Sequence, residues 1–243
     1  TLKRFIAAGY PVLVEKGYTC EAGERCTGWF GHYSVFSGYD DDRQVFITQD
    51  TFRGENLELA YDYVLNNWRA FNYLYLVVFP AGPEHDAEVV RLLGDAADLT
   101  RNYYAALDRA EQEAAALTGQ AAAFAWFNVG TNLAYLQDYA GAARAYDESR
   151  TIGLPYRMLF YQFGPYRAYY YTGRYQDVID LANFALASVI GPPGLEESFY
   201  WRGQAEAAQG LMDAAIADYR SAVQHNPNFQ PARDALTALG VTP

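Results

Sequence analysis

The first 80 residues alternate short apolar stretches with turns that are rich in glycine and acidic residues. Runs of β-branched and aromatic residues at positions 33–36 and 45–47 are typical of strands, and the turn between them predicts a hairpin. Further elements are predicted along the same segment: a short helix at 2–8, a strand at 11–15, a helix at 57–68 and a strand at 72–79. This part of the chain is therefore expected to combine helices with an antiparallel sheet.

The pattern changes near residue 83, after which the chain is rich in alanine and has helical periodicity almost to its end. In the segment 100–117 one apolar face recurs at helical spacing, through Tyr103, Leu107, Ala110, Ala114 and Leu117. We therefore predict a domain boundary at residue 83, with a first domain at 1–83 and connecting helices at 84–120.

The predicted hairpin brings two titratable residues, His32 and Asp50, close together. If Asp40, Asp41 and Asp42 form a three-residue loop, the register carried back along the strands sets His32 opposite Asp50. This register pairs Tyr39 with Arg43. A two-residue loop would instead place the two side chains on opposite faces of the sheet. The alternative interpretation is that His32 caps a strand, that Asp50 begins a turn, and that their pairing is a coincidence.

Composition and charge exclude several classes of protein. A hydrophobic fraction of 51% is that of a folded protein. The formal net charge is -11, and the basic residues are scattered, so nucleic acid is not an expected partner. No apolar run approaches the roughly 20 residues that a membrane-spanning helix needs. The sequence begins without a methionine or a signal peptide, and we expect it to be a mature or cleaved part of a longer protein.

The helical part contains three units whose residues resemble the tetratricopeptide pattern. The first unit places small and aromatic residues at Trp126, Val129, Gly130, Leu133, Tyr139, Ala142, Tyr146 and Ser149. The second carries bulky Tyr166 where the first has Gly130, which implies looser packing between its helices. The third includes Gly203, Ala215 and Tyr219. The resemblance implies an all-α solenoid of three repeats over residues 121–243, closed by a C-terminal capping helix at 230–240.

The tetratricopeptide resemblance also implies a concave groove that binds a peptide or a neighbouring protein segment. The first helix of each pair lines such a groove. The family's usual groove positions correspond here to Phe127, Asn128, Thr131, Tyr135, Phe163, Arg167, Tyr170, Tyr171, Tyr200, Trp201 and Gln204. The alternative is that these aromatic residues only pack inside the solenoid or against the first domain.

The first 80 residues resemble the C-terminal half of bacteriocin-processing-type cysteine peptidases, which have a papain-like fold. The resemblance rests on "AAGYPVLVE", on "GHYSVFSGYDDDRQVFITQD" and on "NYLYLVVF". It implies that His32 is the general base that activates a thiol and that Asp50 orients its imidazole. The family usually has Asp-Pro where this chain has Asp50-Thr51.

The sequence offers no convincing nucleophile. Cys20 and Cys26 lie in a polar, glycine-rich loop only a few residues before His32, whereas the cysteine of papain-like enzymes begins a buried helix early in the domain. We interpret this pair as a disulfide that pins the loop, which indicates an extracytoplasmic location. The two cysteines and His32 lack the spacing of zinc ligands, so neither a metal nor another cofactor is expected.

Three functions remain open from the sequence. The first is a cysteine peptidase, or an inactive relative, whose nucleophile-bearing half lies upstream of Thr1; the missing half is then a partner, and this chain alone is inactive. The second is a non-catalytic interaction scaffold, in which the solenoid binds a partner and the peptidase-like part is a platform. The third is a non-proteolytic hydrolase or transferase of the same fold.

Overall fold

The computed structural model describes residues 1–20, 22, 26, 28–189 and 194–242. In this part of the chain the fold is α+β, with one open antiparallel sheet and eleven α-helices. The strands are β1 (Val12–Thr19), β2 (Trp29–Asp40), β3 (Val45–Asp50), β4 (Gly54–Ala60) and β5 (Tyr75–Val77). Their order in the sheet is β4-β3-β2-β1-β5. The predicted combination of an antiparallel sheet with a long helical segment is confirmed at this level.

The helices follow one another along the rest of the chain. They are α1 (Leu2–Ala7), α2 (Tyr61–Trp68), α3 (Pro83–Leu93), α4 (Leu99–Ala116), α5 (Gly119–Tyr135), α6 (Tyr139–Ile152), α7 (Gly164–Tyr171), α8 (Tyr175–Ala187), α9 (Glu196–Ala208), α10 (Met212–His225) and α11 (Gln230–Ala238). Short 3₁₀ helices occupy Arg69–Phe71, Gly94–Ala97 and Tyr156–Phe160.

The chain divides into two compact units. Unit 1 comprises Thr1–Asn132 with Glu148–Leu154, and unit 2 comprises Leu133–Asp147 with Pro155–Pro243. The boundary that the sequence suggested at residue 83 falls inside unit 1, because the helices that follow it belong to the same compact body as the sheet.

One face of the sheet in unit 1 forms an apolar core with the first three helices. Successive residues of a strand point to opposite faces, so the even-numbered positions of β1 and β3 share this side. The core residues from strands and helices are Leu2, Phe5, Val12, Val14, Phe36, Phe46, Leu59, Val64, Trp68, Val89 and Leu92. At one end of the same face the apolar residues give way to polar ones, and the candidate site lies there.

The hairpin differs from its predicted register. Asp40 pairs with Val45, so the loop contains four residues rather than three, and Gln44 adopts a left-handed conformation with φ 53. Further from the turn, a β-bulge between Phe36 and Gly38 inserts Ser37 as an extra residue. The predicted pairing of Tyr39 with Arg43, and of His32 directly with Asp50, is therefore wrong.

The predicted helix at 57–68 begins later than expected. Residues 57–60 belong to β4, where Leu57 pairs with Thr48 and Leu59 pairs with Phe46. The alternation of Leu57 and Leu59 with polar residues suits a strand, and the helix α2 starts only at Tyr61. The fourth strand was therefore missed in the sequence, because it runs directly into a helix.

In unit 2, close approach between α9 and α10 depends on a glycine. A Cβ atom added at Gly203 would lie 2.8 Å from Cε1 of Tyr219 and 3.2 Å from the carbonyl oxygen of Ala215. Nearby, the guanidinium of Arg202 donates to both carboxylate oxygens of Asp218, at 2.6 and 2.7 Å. Small residues at such positions let two helices pack closely.

Tyr166 on α7 fills the position where a glycine was expected. Its side chain is fully buried, and its hydroxyl lies 3.0 Å from Oγ of Ser198 on α9, which is also buried. The bulky ring therefore connects α7 to α9 through a hydrogen bond.

We predict that Gly203→Val lowers the free energy of unfolding by about 2 kcal/mol or more, because the added side chain must displace Tyr219 or the backbone of α10. The matched control is Ala208→Val, which adds the same side chain at an exposed position of α9. Its expected cost is within about 0.7 kcal/mol. Urea denaturation followed by circular dichroism measures both changes, and equal losses would contradict the packing role of Gly203.

Candidate functional site

The polar end of this sheet face in unit 1 holds His32 and Asp50 in direct contact. Nε2 of His32 lies 2.8 Å from Oδ2 of Asp50. The two residues are diagonal neighbours across β2 and β3, since the observed register, continued by one pair, sets Ser34 opposite Asp50. The hydroxyl of Ser34 donates to the same carboxylate oxygen at 2.7 Å. The structure thus brings together the two residues that the sequence singled out, with Ser34 as an additional member.

The bulge at Ser37 is the reason that these side chains share a face. Near the turn, Tyr39 pairs with Phe46; beyond the bulge, Phe36 pairs with Thr48 and Val35 with Gln49. If the register near the turn continued and Ser37 paired within the ladder, Asp50 would pair with Val35 and point away from His32. The unpaired position of Ser37 therefore selects the arrangement of the site.

Asp50 is held as a carboxylate by four hydrogen bonds. Its Oδ1 accepts from the backbone amides of Phe52 and Arg53, each at 2.9 Å, while Oδ2 accepts from Ser34 and His32. Burial by itself raises the pKa of Asp50, but the bonds from Ser34, the two amides and His32 outweigh it and lower the pKa to about 2. An ionised carboxylate only accepts hydrogen bonds, so Nε2 of His32 is the donor to Asp50, and in a neutral imidazole with this orientation the lone pair lies on Nδ1.

Three aromatic rings surround the imidazole. The ring centroids of Tyr18, Phe30 and Phe52 lie 6.0, 5.9 and 6.3 Å from that of His32. The side chain of His32 is 12% exposed, while Phe52 is 44% exposed and is the outermost of the three rings. The rings limit the access of water to the imidazole and leave one side of the site close to the surface.

Lys16 is a further charged residue at this site. It pairs with His32 across β1 and β2, so both side chains lie on the same face of the sheet, and it is only 2% exposed. Burial lowers the pKa of its amine to about 8; Asp50 counteracts this effect and Arg53 adds to it. Sequence reasoning missed Lys16, because the strand was predicted at 11–15 and Lys16 lies just beyond it, whereas the observed β1 continues to Thr19.

The two cysteines form a disulfide in the link between β1 and β2. The Cα atoms of Cys20 and Cys26 are 5.7 Å apart, and neither sulfur remains as a free thiol. The amide of Cys20 also donates to the carbonyl of Gly28 at 2.9 Å, which closes the base of the link. The chain itself therefore presents no thiol beside His32.

The groove residues predicted in unit 1 are mostly internal. Phe127 is 1% exposed, and Asn128 is fully buried with its amide donating to the carbonyl of Arg69 at 2.8 Å. The hydroxyl of Thr131 donates to the carbonyl of Phe127 within the same helix. The expectation that Phe127 and Asn128 line a groove is therefore corrected: both side chains are buried, and Asn128 bonds to the backbone of unit 1.

The predicted groove residues of unit 2 form a continuous aromatic row. Its ring-to-ring contacts run through Tyr139, Tyr171, Tyr170, Trp201, Tyr200 and Phe229, with centroid distances between 4.6 and 5.7 Å. Arg167 donates to the hydroxyl of Tyr139 at 3.1 Å, and Gln204 donates to that of Tyr200 at 2.6 Å. Tyr135 and Tyr171 are exposed, whereas Phe163 is partly buried. Tyr139 and Phe229 had not been predicted as members of this surface.

Comparison with known proteins adds no family assignment. No protein-family model matches the chain, and no curated protein matches it either. Among the described residues, no group of three or more His, Cys, Asp or Glu side chains could hold a metal ion. No helix in the same part of the chain has the length and apolar character that a membrane crossing requires. The functional argument therefore depends on the geometry of the two surfaces described above.

We predict that Asp50 makes stability depend on pH in the acid range. Its folded-state pKa of about 2 lies below the ordinary value of 3.8, so its contribution of about 2 kcal/mol is complete above pH 4 and is lost as the pH falls towards 2. Asp50→Asn should remove this part of the pH dependence, whereas Asp42→Asn, in the exposed hairpin turn, should retain it. Denaturant titrations between pH 2 and 6 measure the difference, and parallel profiles for all three proteins would contradict it.

Proposed function

We propose that unit 1 supplies the histidine and aspartate of a papain-like cysteine peptidase centre. The hydrogen bond between His32 and Asp50 is the observation that carries this proposal. It is supported by Ser34 and the two backbone amides, which leave the carboxylate fixed and ionised. An ion pair that served only stability would not require the imidazole to be held in one fixed orientation near the surface.

The arrangement suits a general base. With the proton on Nε2 directed to Asp50, the lone pair on Nδ1 accepts the proton of a thiol that lies beside it. Asp50 then stabilises the imidazolium that forms. The rings of Tyr18, Phe30 and Phe52 exclude water and so strengthen these electrostatic interactions.

The thiol must come from outside these 243 residues, since Cys20 and Cys26 are bonded to each other. We therefore propose that the nucleophile-bearing half is a separate segment that packs against this face of the sheet. A non-proteolytic hydrolase or transferase would use the same histidine and aspartate. The disulfide supports the further proposal of an extracytoplasmic location.

The test uses the protein translated from the complete coding sequence. We expect peptide hydrolysis that iodoacetamide abolishes, and a loss of at least about 1000-fold in kcat/KM for His32→Gln, because the general base is removed. Ser34→Ala should retain part of the activity. His85→Gln is the matched control, since His85 lies in the same unit but bonds to Tyr10 rather than to the site.

Two outcomes would contradict the peptidase proposal. One is thiol-dependent hydrolysis that His32→Gln leaves unchanged while the protein stays folded by circular dichroism. The other is the absence of any thiol-dependent turnover in the complete protein, which would favour the platform role of unit 1.

The aromatic row in unit 2 supports a second proposed function, the binding of a peptide by tetratricopeptide repeats. The close contact of Gly203 with Tyr219 and Ala215 is in keeping with the spacing of that pattern. Aromatic rings bury a large area at low entropic cost when they bind a ligand. Arg167 and Gln204 contact rings of the row, and their side-chain N–H groups are donors that suit a peptide backbone or carboxylate. We propose an extended peptide or protein segment as the ligand.

Replacement of both Arg167 and Trp201 by alanine should abolish binding of peptides selected by this protein from a displayed random library. The expected loss of affinity is at least about tenfold, because a hot-spot aromatic residue and a donor are removed together. Arg144→Ala, at an exposed position of α6, is the control for charge. Unchanged affinity together with a large loss of thermal stability would show that the row is a packing element.

A further inference from the structure

The chain contains only two lysines, and they occupy contrasting environments. Lys3 is partly exposed and forms an ion pair with Asp41, and this hydrogen bond raises the pKa of its amine. Lys16 is 2% exposed and lies on β1, directly across from His32 on β2. Lysines are almost never buried to this extent unless a partner or a function compensates for the loss of hydration.

Asp50 compensates Lys16 only in part. The four hydrogen bonds from Phe52, Arg53, Ser34 and His32 occupy the lone-pair positions of both carboxylate oxygens. Asp50 therefore acts on the lysine amine through its charge and not by accepting a hydrogen bond from it. The other charge that acts on the amine is the guanidinium of Arg53, which opposes a second positive charge nearby.

We propose that Lys16 is a carbonyl-reactive amine, which binds small aldehydes as a Schiff base at the site formed with His32 and Asp50. A nucleophilic amine must be neutral, and lysines that are desolvated or placed beside another cation are the ones that proteins use for this chemistry. The lowered pKa of Lys16, about 8, leaves a fraction of roughly one tenth neutral at pH 7. This activity is independent of the proposed peptidase function.

The reaction balances with groups that are present. The lysine ammonium passes a proton to Nδ1 of His32, and the neutral amine adds to the carbonyl carbon and gives a carbinolamine. His32 then returns this proton to the carbinolamine hydroxyl, which leaves as water. Overall, a lysine ammonium and an aldehyde give water and an iminium that carries the one positive charge. Asp50 stabilises this charge, and Phe52 is the most exposed of the three rings at the site.

Four charged or titratable groups lie around the Lys16 amine. They are Asp50 on β3, Arg53 in the turn after it, His32 on β2 and Tyr18 on β1, whose ring lies 5.7 Å from Nζ of Lys16. The rate at Lys16 should rise as the pH increases towards 8 and level off above it, because the neutral amine then predominates.

Acetaldehyde with cyanoborohydride tests the proposal on the intact chain. At pH 7 we expect the modification of Lys16 to proceed at least about tenfold faster than that of Lys3, as measured by peptide mapping with mass spectrometry. Peptide mapping also separates the amine of Thr1, which is a third reactive group. In denaturing urea the two lysines should react at equal rates, because the difference arises from the fold.

Two variants complete the test. His32→Gln should slow the reaction at Lys16 and leave that at Lys3 unchanged, whereas Lys3→Arg should leave the rate at Lys16 unchanged. Modification of Lys16 no faster than that of Lys3 in the folded protein would overturn the proposal, as would a rate advantage that persists in urea. None of these measurements depends on peptide hydrolysis, so their failure is distinguishable from failure of the peptidase proposal.

Discussion

The carboxylate of Asp50 is the group on which the organisation of unit 1 depends most directly. It joins three parts of the chain, because Asp50 itself ends β3 and its partners come from β2 and from the turn that follows β3. Each bond fixes a different feature: the orientation of His32, the position of buried Ser34, and the conformation of the turn that carries Phe52 and Arg53. A buried carboxylate is costly unless all its acceptor positions are used, and here they are.

Much of the sheet could be predicted from the sequence, since apolar alternation identifies strands and the turn residues identify a hairpin. The contact of His32 with Asp50 was also predicted, but through a register that the structure corrects. A bulge leaves no clear pattern in a strand of mixed composition, and a hairpin loop of four acidic and polar residues resembles one of three. The strand β4 was missed because its alternating residues merge with the helix that follows.

Burial explains the remaining differences between sequence and structure. Phe127 and Asn128 have residue types that occur in binding surfaces, but both are buried. The spacing of residues along one helix does not determine which of its faces is covered by the rest of the unit. Tyr170, Tyr171, Tyr200 and Trp201 were named from the groove positions of the tetratricopeptide pattern, and in the structure their rings contact one another together with those of Tyr139 and Phe229. Lys16 was missed because the strand was predicted to end at residue 15, and its pairing with His32 appears only when β1 continues to Thr19.

The bulge at Ser37 has a consequence for how this site could arise and disappear in evolution. Deletion of the Ser37 codon would leave a regular ladder in which Phe36 still pairs with Thr48 and Ser34 still lies opposite Asp50, so the site would survive. Pairing of Ser37 within the ladder would instead shift every later pair by one residue and set Asp50 opposite Val35, on the other face. Hairpins of nearly identical sequence can therefore differ wholly in chemistry according to whether this one residue is paired.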